Sequence, residues 1–424
     1  MTNQILLKQV EKGSNFVSSP LSLHVMLSLV AAGSTGQTLE QLLGFLGSKS
    51  IAELNQLSSQ INNLVSLVEG AETANEPTTG TPTLLFVNGV WVEKSFGLKP
   101  SFEEIASDTY KAKTELVDFT NKADEVLLEV NSWAERATRG LIKGLLPSGY
   151  VDCNTALVLA NALYFKGAWD QQFDTSKTEH RDFHFLDGHI VQVPFMTGKK
   201  YEQYLYRDCD GYRVLQLPYQ SGQSTRQFSM FFFLPDKKDG LLNLVKMLNS
   251  KPGFFNQQFD LQSRVELPDF WIPRFKFSYH FEASETLKEM GLQLPFYPGE
   301  LGEMVNSSNS ENLYLSKVFQ KAYIEVNEEG TEAAASTAAT MRWCSASYPT
   351  PSFVADHPFM FMIREETTRT VLFTGAEFSQ VVTQLLCREK QTFEGLRPQD
   401  DLSRFKKPEL LFSLIHFILF QLRK

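Results

Sequence analysis

Cysteine is scarce in this chain of 424 residues, which has only four and no Cys-x-x-Cys pair. They lie far apart, at Cys153, Cys209, Cys344 and Cys387. This spacing supports neither a disulfide framework nor a structural zinc site, and it favours a reducing compartment. Residues 1–10 also lack the basic start, the apolar stretch and the small-residue cleavage site of a secretory signal. We therefore expect a cytoplasmic protein, with export by an unconventional route as the alternative.

The chain also has fewer basic residues than acidic ones. The net charge is −9, and no stretch interleaves lysine and arginine with aromatic residues. A general nucleic-acid binder needs clustered positive charge, so the composition argues against that class of protein. Residues 410–420 are strongly apolar but too few to span a bilayer as a helix. We expect neither nucleic acid nor membrane among the partners, and we expect a monomer.

Motifs of catalysis and metal binding are missing as well. The sequence contains no P-loop and no GxGxxG, and Gly-Ser-Thr-Gly at residues 33–36 lacks the order of a nucleophile elbow. His180, His184 and His189 lie close together, but no acid completes a metal site around them, so we expect solvent-exposed histidines. These absences predict a protein that is not an enzyme and that needs no metal or cofactor.

Apolar runs that predict a folded core are plentiful, since 42% of the residues are hydrophobic and 21% are charged. Residues 20–33 are apolar almost all round and predict a buried helix that begins at Pro20. The unbroken apolar run at residues 156–165 predicts a strand that is covered on both faces. Further strands and helices, such as those at residues 84–93 and 122–139, do not alternate regularly. This pattern indicates an α+β fold.

The stretch from residue 319 to 339, FQKAYIEVNEEGTEAAASTAA, changes character at its middle. Its first part alternates apolar and polar residues, which predicts a half-buried strand. After Gly330 all residues are small except one acid, Glu332. On composition alone, an alanine-rich helix or a flexible linker is the first interpretation of this second part.

Residues 325–335, EVNEEGTEAAA, resemble the hinge of the serpin family, and residues 353–359, FVADHPF, resemble the strand after the reactive loop of plant serpins. Residues 161–169, NALYFKGAW, resemble a further serpin motif, and scattered matches extend the resemblance over roughly residues 15–375. The resemblance implies the serpin fold, with a large mixed β-sheet A, sheets B and C and eight or nine helices. It also implies an exposed reactive-centre loop at about residues 330–352.

Inhibition by a suicide-substrate mechanism is what the resemblance implies for function. A serine or cysteine protease would cut the loop, which would enter sheet A as a new strand while the protease stays covalently bound. The hinge residues are Gly330, Thr331, Glu332, Ala333, Ala334 and Ala335. Gly330 supplies backbone freedom at the pivot. If residues 331, 333, 335 and 337 face inward, every buried position is small and uncharged, and Glu332 avoids burial. The alternative is a serpin-fold protein that binds a partner without inhibition.

The reactive bond has more than one candidate in this sequence. The family spacing from Gly330 places it at Cys344–Ser345. Arg342–Trp343 would attract trypsin-like proteases, and Trp343–Cys344 would attract chymotrypsin-like ones. Many plant serpins carry Leu-Arg at the reactive bond, and this chain departs from that pattern, so the target protease stays open.

Two further groups of residues follow from the resemblance. A polar cluster beneath the centre of sheet A, here called the sheet-opening cluster, contains Ser19, Ser22, Asn161 and Gln320. The top of the sheet where insertion begins, here called the breach, contains Trp169, Arg274 and Glu328, with an expected ion pair between the last two. Serpins commonly carry His where this chain has Gln320, whose amide can still donate and accept. Without the resemblance, ordinary packing and helix capping would explain all seven residues.

The C-terminal end departs most from the serpin pattern. We assign residues 1–375 to the serpin domain and residues 376–424 to an atypical tail. The usual basic residue and Val-x-Asn-Pro ending are replaced by Ala-Glu-Phe at 376–378, a loss that we expect to reduce the buried core. Residues 378–386 are a candidate replacement in the terminal hairpin. For residues 410–420, an amphipathic surface helix, a disordered tail and an unspliced gene model remain open, and we favour the last or a nonfunctional extension.

Overall fold

The computed structural model describes residues 2–69, 82–199, 202–222, 225–261, 264–306, 310–331 and 351–378, with the backbone alone at 63–69 and 331. These residues all belong to one compact unit, Met1–Gln380. Its α-helices are α1 (Thr2–Glu11), α2 (Pro20–Ala32), α3 (Gly36–Leu46), α4 (Ile51–Glu69), α5 (Pro100–Asp108), α6 (Phe119–Ala137), α7 (Leu241–Asn249) and α8 (Ser284–Glu289).

The strands alternate irregularly with the helices along the chain, as an α+β fold requires. In chain order they are β1 (Phe16–Ser18), β2 (Thr83–Glu93), β3 (Ala112–Val117), β4 (Leu157–Ala168), β5 (Glu179–His184), β6 (Ile190–Met196), β7 (Gln203–Cys209), β8 (Tyr212–Pro218), β9 (Phe228–Pro235), β10 (Arg264–Glu266), β11 (Asp269–Pro273), β12 (Phe275–Glu282), β13 (Lys317–Val326), β14 (Gly330–Thr331), β15 (Ser352–Val354), β16 (Phe359–Glu365) and β17 (Thr370–Glu377).

Three sheets form from these strands. The mixed sheet, sheet A, has the order β12-β13-β4-β2-β3, with β14 added to β4. Its β13–β4 and β2–β3 pairs are parallel, and its other pairs are antiparallel. The larger sheet, sheet B, is antiparallel with the order β1-β17-β16-β9-β8-β7-β10, and sheet C has the order β15-β11-β6-β5. The predicted architecture is therefore confirmed.

Strand β4 is covered on both faces, as its apolar run predicts. All but one of its residues are buried. Val158 and Ala160 pack in an apolar cluster with Val130 of α6. Asn161, in contrast, bonds Ser22 of α2 on the opposite side. Because side chains alternate along a strand, even-numbered residues of β4 face α6, the outer face, and odd-numbered residues face α2, the inner face.

Helix α2 occupies the inner face and is buried almost all round, which confirms the expectation for residues 20–33. The side chain of Ser19 caps its start by accepting a hydrogen bond from the Ser22 amide at 3.2 Å, and Pro20 is the first helical residue. The local sequence thus determines where the helix begins. The same two serines also lie within hydrogen-bond reach of sheet A above the helix.

The C-terminal hairpin of sheet B consists of β16 and β17, and β17 also pairs with β1, where Phe16 lies opposite Ala376. The strand runs to Glu377, two residues past the boundary that we predicted at 375. Of the candidate replacement segment 378–386, only Phe378 falls within the described residues, and it is buried in the core next to α1. The division of the chain at 375 itself stays a prediction.

Candidate functional site

The sheet-opening cluster lies where β4 and β13 run side by side, with Gln320 opposite Asn161 in the parallel register. Ser22 donates its hydroxyl proton to the side-chain oxygen of Asn161. The Gln320 Nε2 donates to the Ser22 Oγ at 3.0 Å and to the Ser19 carbonyl at 2.9 Å. The Ser19 amide donates to Gln320 Oε1 at 2.8 Å. All four predicted residues therefore meet on the inner face, and each is fully or almost fully buried.

This network links two neighbouring strands through α2. Gln320 ties β13 to the start of α2, and Ser22 ties α2 to Asn161 of β4. Asn161 continues the chain of bonds into β2, because its Nδ2 donates to the Asn88 Oδ1 at 2.8 Å and to the Val87 carbonyl at 3.0 Å. Separating β4 from β13 would break the Gln320–Ser22–Asn161 connection, and each broken bond leaves a buried polar group to be satisfied elsewhere.

The hinge begins with a tight reversal of the chain after β13. The amide and carbonyl of Asn327 bond the carbonyl and amide of Gly330 at 3.0 and 3.3 Å, and the Asn327 side chain also accepts from the amides of Glu329 and Gly330. Gly330 has φ = 134°, and a Cβ there would lie 2.2 Å from the Gly167 carbonyl oxygen. Only glycine fits this conformation and this approach.

The reversed chain then lies against β4. Gly330 pairs with Ala168 and Thr331 with Gly167 in an antiparallel arrangement. The parallel pairing of β4 with β13 ends below this point, at Tyr164 and Tyr323. Strand β14 thus begins at the top of the boundary between the two central strands of sheet A.

Trp169 of the breach holds the reversal in place. Its ring stacks on Tyr219 with a centroid separation of 4.5 Å, and its indole N–H donates to the Asn327 carbonyl at 2.9 Å. Its backbone amide donates to the Glu329 carbonyl at 3.0 Å. The side chain is buried, so the hydrogen bond and the stacking together fix the turn between β13 and β14.

Arg274 and Glu328 approach each other at the breach, with 3.5 Å between Nε and Oε2. The Glu328 side chain is 5% exposed and that of Arg274 is 46% exposed, so one half of the pair is open to water. Thr178 donates to the other Glu328 oxygen at 2.5 Å, and the Phe173 amide donates to the Glu328 carbonyl at 2.9 Å. The carboxylate is therefore anchored by more than the arginine.

Lys321 is a site residue that the sequence interpretation missed. It follows Gln320 on β13, is buried on the outer face, and donates to the carbonyls of Lys143 and Gly144 at 2.5 and 3.2 Å. Burial lowers the pKa of Lys321 to about 8. On β12, burial and the charge of Lys321 lower the pKa of His280 to about 4. The sequence feature that could have identified Lys321 is its position between Phe319 and Tyr323, which face outward on the same strand. A strand that is covered on both faces rarely carries a lysine without a partner.

A second missed group anchors the chain after the reactive loop. Strand β15 pairs in parallel with β11, and Asp356 follows it. The Asp356 carboxylate lies 2.6 Å from Nδ1 of His357, 3.5 Å from Nζ of Lys238 and 3.6 Å from Nε2 of His184. Burial alone would raise the pKa of Asp356, but the hydrogen bond with His357 and the nearby charges hold it below its usual value. His184 is half-buried, which corrects the expectation of an exposed histidine at that position, whereas His180 and His189 are exposed.

Several predicted site residues lie outside the described residues. They are the hinge residues Glu332, Ala333, Ala334 and Ala335, the reactive-bond residues Cys344 and Ser345, and their alternatives Arg342 and Trp343. Within the described ranges, no three histidine, cysteine, aspartate or glutamate side chains are grouped so that they could hold a metal ion. In the same ranges, no helix combines the length and apolar character needed to cross a membrane.

Comparison with known proteins identifies the family. The family model described as "Serpin (serine protease inhibitor)" matches residues 3–380. The chain belongs to the serpin family. It is 49% identical to serpin-ZXA of Oryza sativa subsp. japonica over 365 residues, covering 86% of this chain and 89% of that protein. It is 48% identical to serpin-ZX of Arabidopsis thaliana over 370 residues, covering 86% and 92%. The resemblance to plant serpins is thereby confirmed.

Solved structures agree with this assignment. The structure of Arabidopsis AtSerpin1 in its native stressed conformation has a TM-score of 0.81 and 43% identity, covering 90% of this chain and 95% of that one. Uncleaved ovalbumin has a TM-score of 0.71 at 23% identity, covering 87% and 94%, and supports the fold alone. By family, this serpin is a protease inhibitor rather than an enzyme, and its partner in general is a protease.

Proposed function

We propose that this serpin traps a serine or cysteine protease as a suicide substrate. The protease cuts the reactive-centre loop at about residues 330–352, and the freed strand inserts between β4 and β13 while the acyl-enzyme bond persists. The observation that carries the proposal is the pairing of Gly330 and Thr331 with Ala168 and Gly167. The first residues of the hinge already run antiparallel to β4, so insertion needs extension of an existing strand and no new reversal of the chain.

The register of β14 supports the predicted phase of the inserted strand. Continued one residue at a time from Thr331 opposite Gly167, it brings Glu332 opposite Lys166 and Thr337 opposite Asn161. Partners in an antiparallel pair share a face of the sheet. Odd-numbered hinge residues would therefore join the odd-numbered residues of β4 on the inner face, where every one of them up to 337 is small. Glu332 would join Lys166 on the outer face.

Hydrogen bonding supplies the driving force in this mechanism. A strand inserted between β4 and β13 can pair on both edges, and each ladder bond contributes about 0.5–1.5 kcal/mol net. About ten bonds therefore provide on the order of 10 kcal/mol. The gain is available only after the cut, because the intact loop is tethered at its far end by β15 and the Asp356 contacts.

The reactive bond in this proposal is Cys344–Ser345, with Arg342–Trp343 and Trp343–Cys344 as alternatives. Incubation with trypsin-like, chymotrypsin-like and papain-like proteases tests the proposal directly. A complex that survives boiling in SDS is expected with at least one of them, and sequencing of the released peptide identifies the bond. Cleaved serpin accompanied only by free, active protease would reject the trapping mechanism.

Partner binding without inhibition is the second candidate function. It is favoured by the unusual sequence around Cys344. It is also favoured by Glu377, because burial of its carboxyl group lowers the stability of the C-terminal hairpin in the native fold. In that case cleavage of the loop should leave the melting temperature unchanged. Thermal unfolding of the intact and the cleaved protein therefore discriminates between the two candidates.

We propose that the protein works as a monomer in the cytoplasm, with unconventional export as the alternative. Cys153 and Cys209 support a reducing compartment, because neither forms a disulfide within the described residues and Cys153 is exposed. Fractionation of cells that express the full chain tests the location. Sedimentation of the purified chain tests the monomeric state.

A further inference from the structure

Glu377, the last residue of β17, carries a carboxyl group that is completely withdrawn from water. Its Oε1 accepts a hydrogen bond from Nδ2 of Asn15 at 2.9 Å. Its Oε2 has no hydrogen-bond partner among the described residues. An ionised carboxylate in such a place loses its hydration without a compensating charge partner, so the folded state favours the protonated acid.

The surroundings of Glu377 are apolar. It lies opposite Phe359 in the β16–β17 register, and partners in an antiparallel pair share a face. Phe359 in turn contacts Phe232 and, across the gap to sheet A, Phe275, with ring centroids 5.8 and 5.9 Å away. Among the described residues that these contacts place beside Glu377, namely Asn15 and the three phenylalanines, none is charged. Burial raises the pKa of Glu377 well above its ordinary value, and the Asn15 hydrogen bond opposes this only in part.

Asn15 precedes β1, and its side chain bonds both the carboxyl group of Glu377 and the backbone of Phe378 at the end of β17. Its Nδ2 donates to Glu377, and its Oδ1 accepts from the amide of Phe378 at 2.6 Å. The next residue, Phe16, opens β1 and pairs with Ala376. The three residues Asn15, Glu377 and Phe378, here called the terminal clasp, therefore fasten the N-terminal strand of sheet B to its C-terminal strand.

We propose that the terminal clasp is a proton-dependent lock on the two ends of the serpin domain. With the Glu377 carboxyl protonated, the clasp is closed and β1 stays paired with β17. When the proton leaves to solvent, the carboxylate is driven towards water, the Asn15 hydrogen bonds break, and the ends of β1 and β17 separate locally.

The sign of the pH dependence follows from burial. The open state ionises near the ordinary value for glutamate, about 4.3, and the closed state ionises at a higher pH. The stabilising contribution of Glu377 is therefore complete below the ordinary pKa and is lost as pH rises towards the pKa of the closed state. Between these two values, the equilibrium constant for opening should rise about tenfold per pH unit.

Amide hydrogen exchange of the intact full-length protein tests the lock. After correction for the intrinsic pH dependence of exchange, opening of residues 14–18 and 374–378 should increase about tenfold per pH unit within the window above pH 4.3. The variant Glu377→Gln keeps the shape and the Asn15 hydrogen bond but cannot ionise, so its opening should be independent of pH. Glu104→Gln removes an exposed carboxylate on α5 and should behave like the unmodified protein.

A second variant covers the case in which the glutamine side chain is not accommodated. Glu377→Val removes the carboxyl and the orphaned oxygen, and it should lower opening of both segments most strongly at the highest pH used. Equal pH dependence of opening in the unmodified protein and in either variant at position 377 would overturn the proposal. The readout concerns the ends of the domain only, so it does not depend on protease inhibition.

Discussion

Gly330 lies opposite Ala168 at the top of β4, and this contact turns the chain from the end of β13 back along sheet A. The positive φ of 134° and the 2.2 Å approach that a Cβ would make to the Gly167 carbonyl oxygen exclude other residues without rearrangement. The position therefore links the native fold to the proposed insertion of the loop.

Gly330→Val should impair insertion before it impairs folding. The strained backbone and the steric conflict with Gly167 are expected to cost about 1–3 kcal/mol and to push β14 away from β4. Slower insertion would let more protease escape, so the fraction of cleaved serpin without bound protease should rise. Gly302→Ala is the matched control, because the nearest atom to its added Cβ is 3.8 Å away. An unchanged ratio of complex to cleaved serpin in Gly330→Val would show that the tight turn is irrelevant to trapping.

The extended register predicts a cross-strand pair of Glu332 and Lys166 in the cleaved protein only. Glu332→Lys should place two like charges opposite each other and destabilise the cleaved form by about 0.2–1 kcal/mol. Adding Lys166→Glu should recover most of that loss. The measurement is chemical unfolding of cleaved and intact protein for the two single variants and the double variant. Additive effects in the cleaved form would contradict the proposed register.

Position 320 carries glutamine, which does not titrate, so opening of sheet A should not depend on protonation at this position. Its amide bonds Ser19 and Ser22 in one protonation state. Gln320→His would introduce a group whose ordinary pKa is about 6.5 and whose charged form is disfavoured by burial. The association rate with the protease should then depend on pH between about 5 and 7. Normalising to the unmodified serpin at each pH removes the titration of the protease, and a ratio that stays flat would count against a role of this cluster in opening.

The lowered pKa of Lys321 predicts that the folded protein becomes more stable as pH rises above about 8. Its pKa is lowered from 10.5 to about 8, so the unfolded chain binds more protons than the folded one between these values. The free energy of unfolding should therefore rise as pH increases from about 8 to 10.5. Lys321→Met should remove this rise and should stabilise the fold below pH 8, where the buried charge is costly.

Lys246→Met on the exposed side of α7 is the control for Lys321→Met, and it should leave the alkaline rise in place. If both variants have the same pH profile of unfolding, the contacts of Lys321 with the Lys143 and Gly144 carbonyls do not govern stability.

Sequence alone predicted the parts of the site that depend on local pattern. Alternation in the β13 segment predicts a half-buried strand, and the apolar run of β4 predicts a strand covered on both faces; β13 proves to be mostly buried as well. The resemblance then directs attention to Gln320 and Asn161, which the structure brings opposite each other. The start of α2 was predictable because a serine and a proline in that order cap and begin a helix.

Contacts between distant segments could not be derived in the same way. Lys321 meets the segment after α6 only because that segment crosses the outer face of sheet A, and Asp356 meets His184 because the chain that leaves β15 passes the end of β5. Glu377 was assigned to an atypical tail, yet the hairpin register carries it into the aromatic core. These placements depend on which segments pack together, and neither propensity nor periodicity encodes that choice.

Thermal unfolding of the protein before and after a single cut in the reactive-centre loop tests the central claim most directly. Insertion of the strand should add on the order of 10 kcal/mol, which corresponds to a rise in melting temperature of roughly 10–15 °C for a domain of this size. Residues 331–339 should at the same time become resistant to further proteolysis. A cut protein that melts at the same temperature as the intact one, with these residues still digestible, would contradict the account.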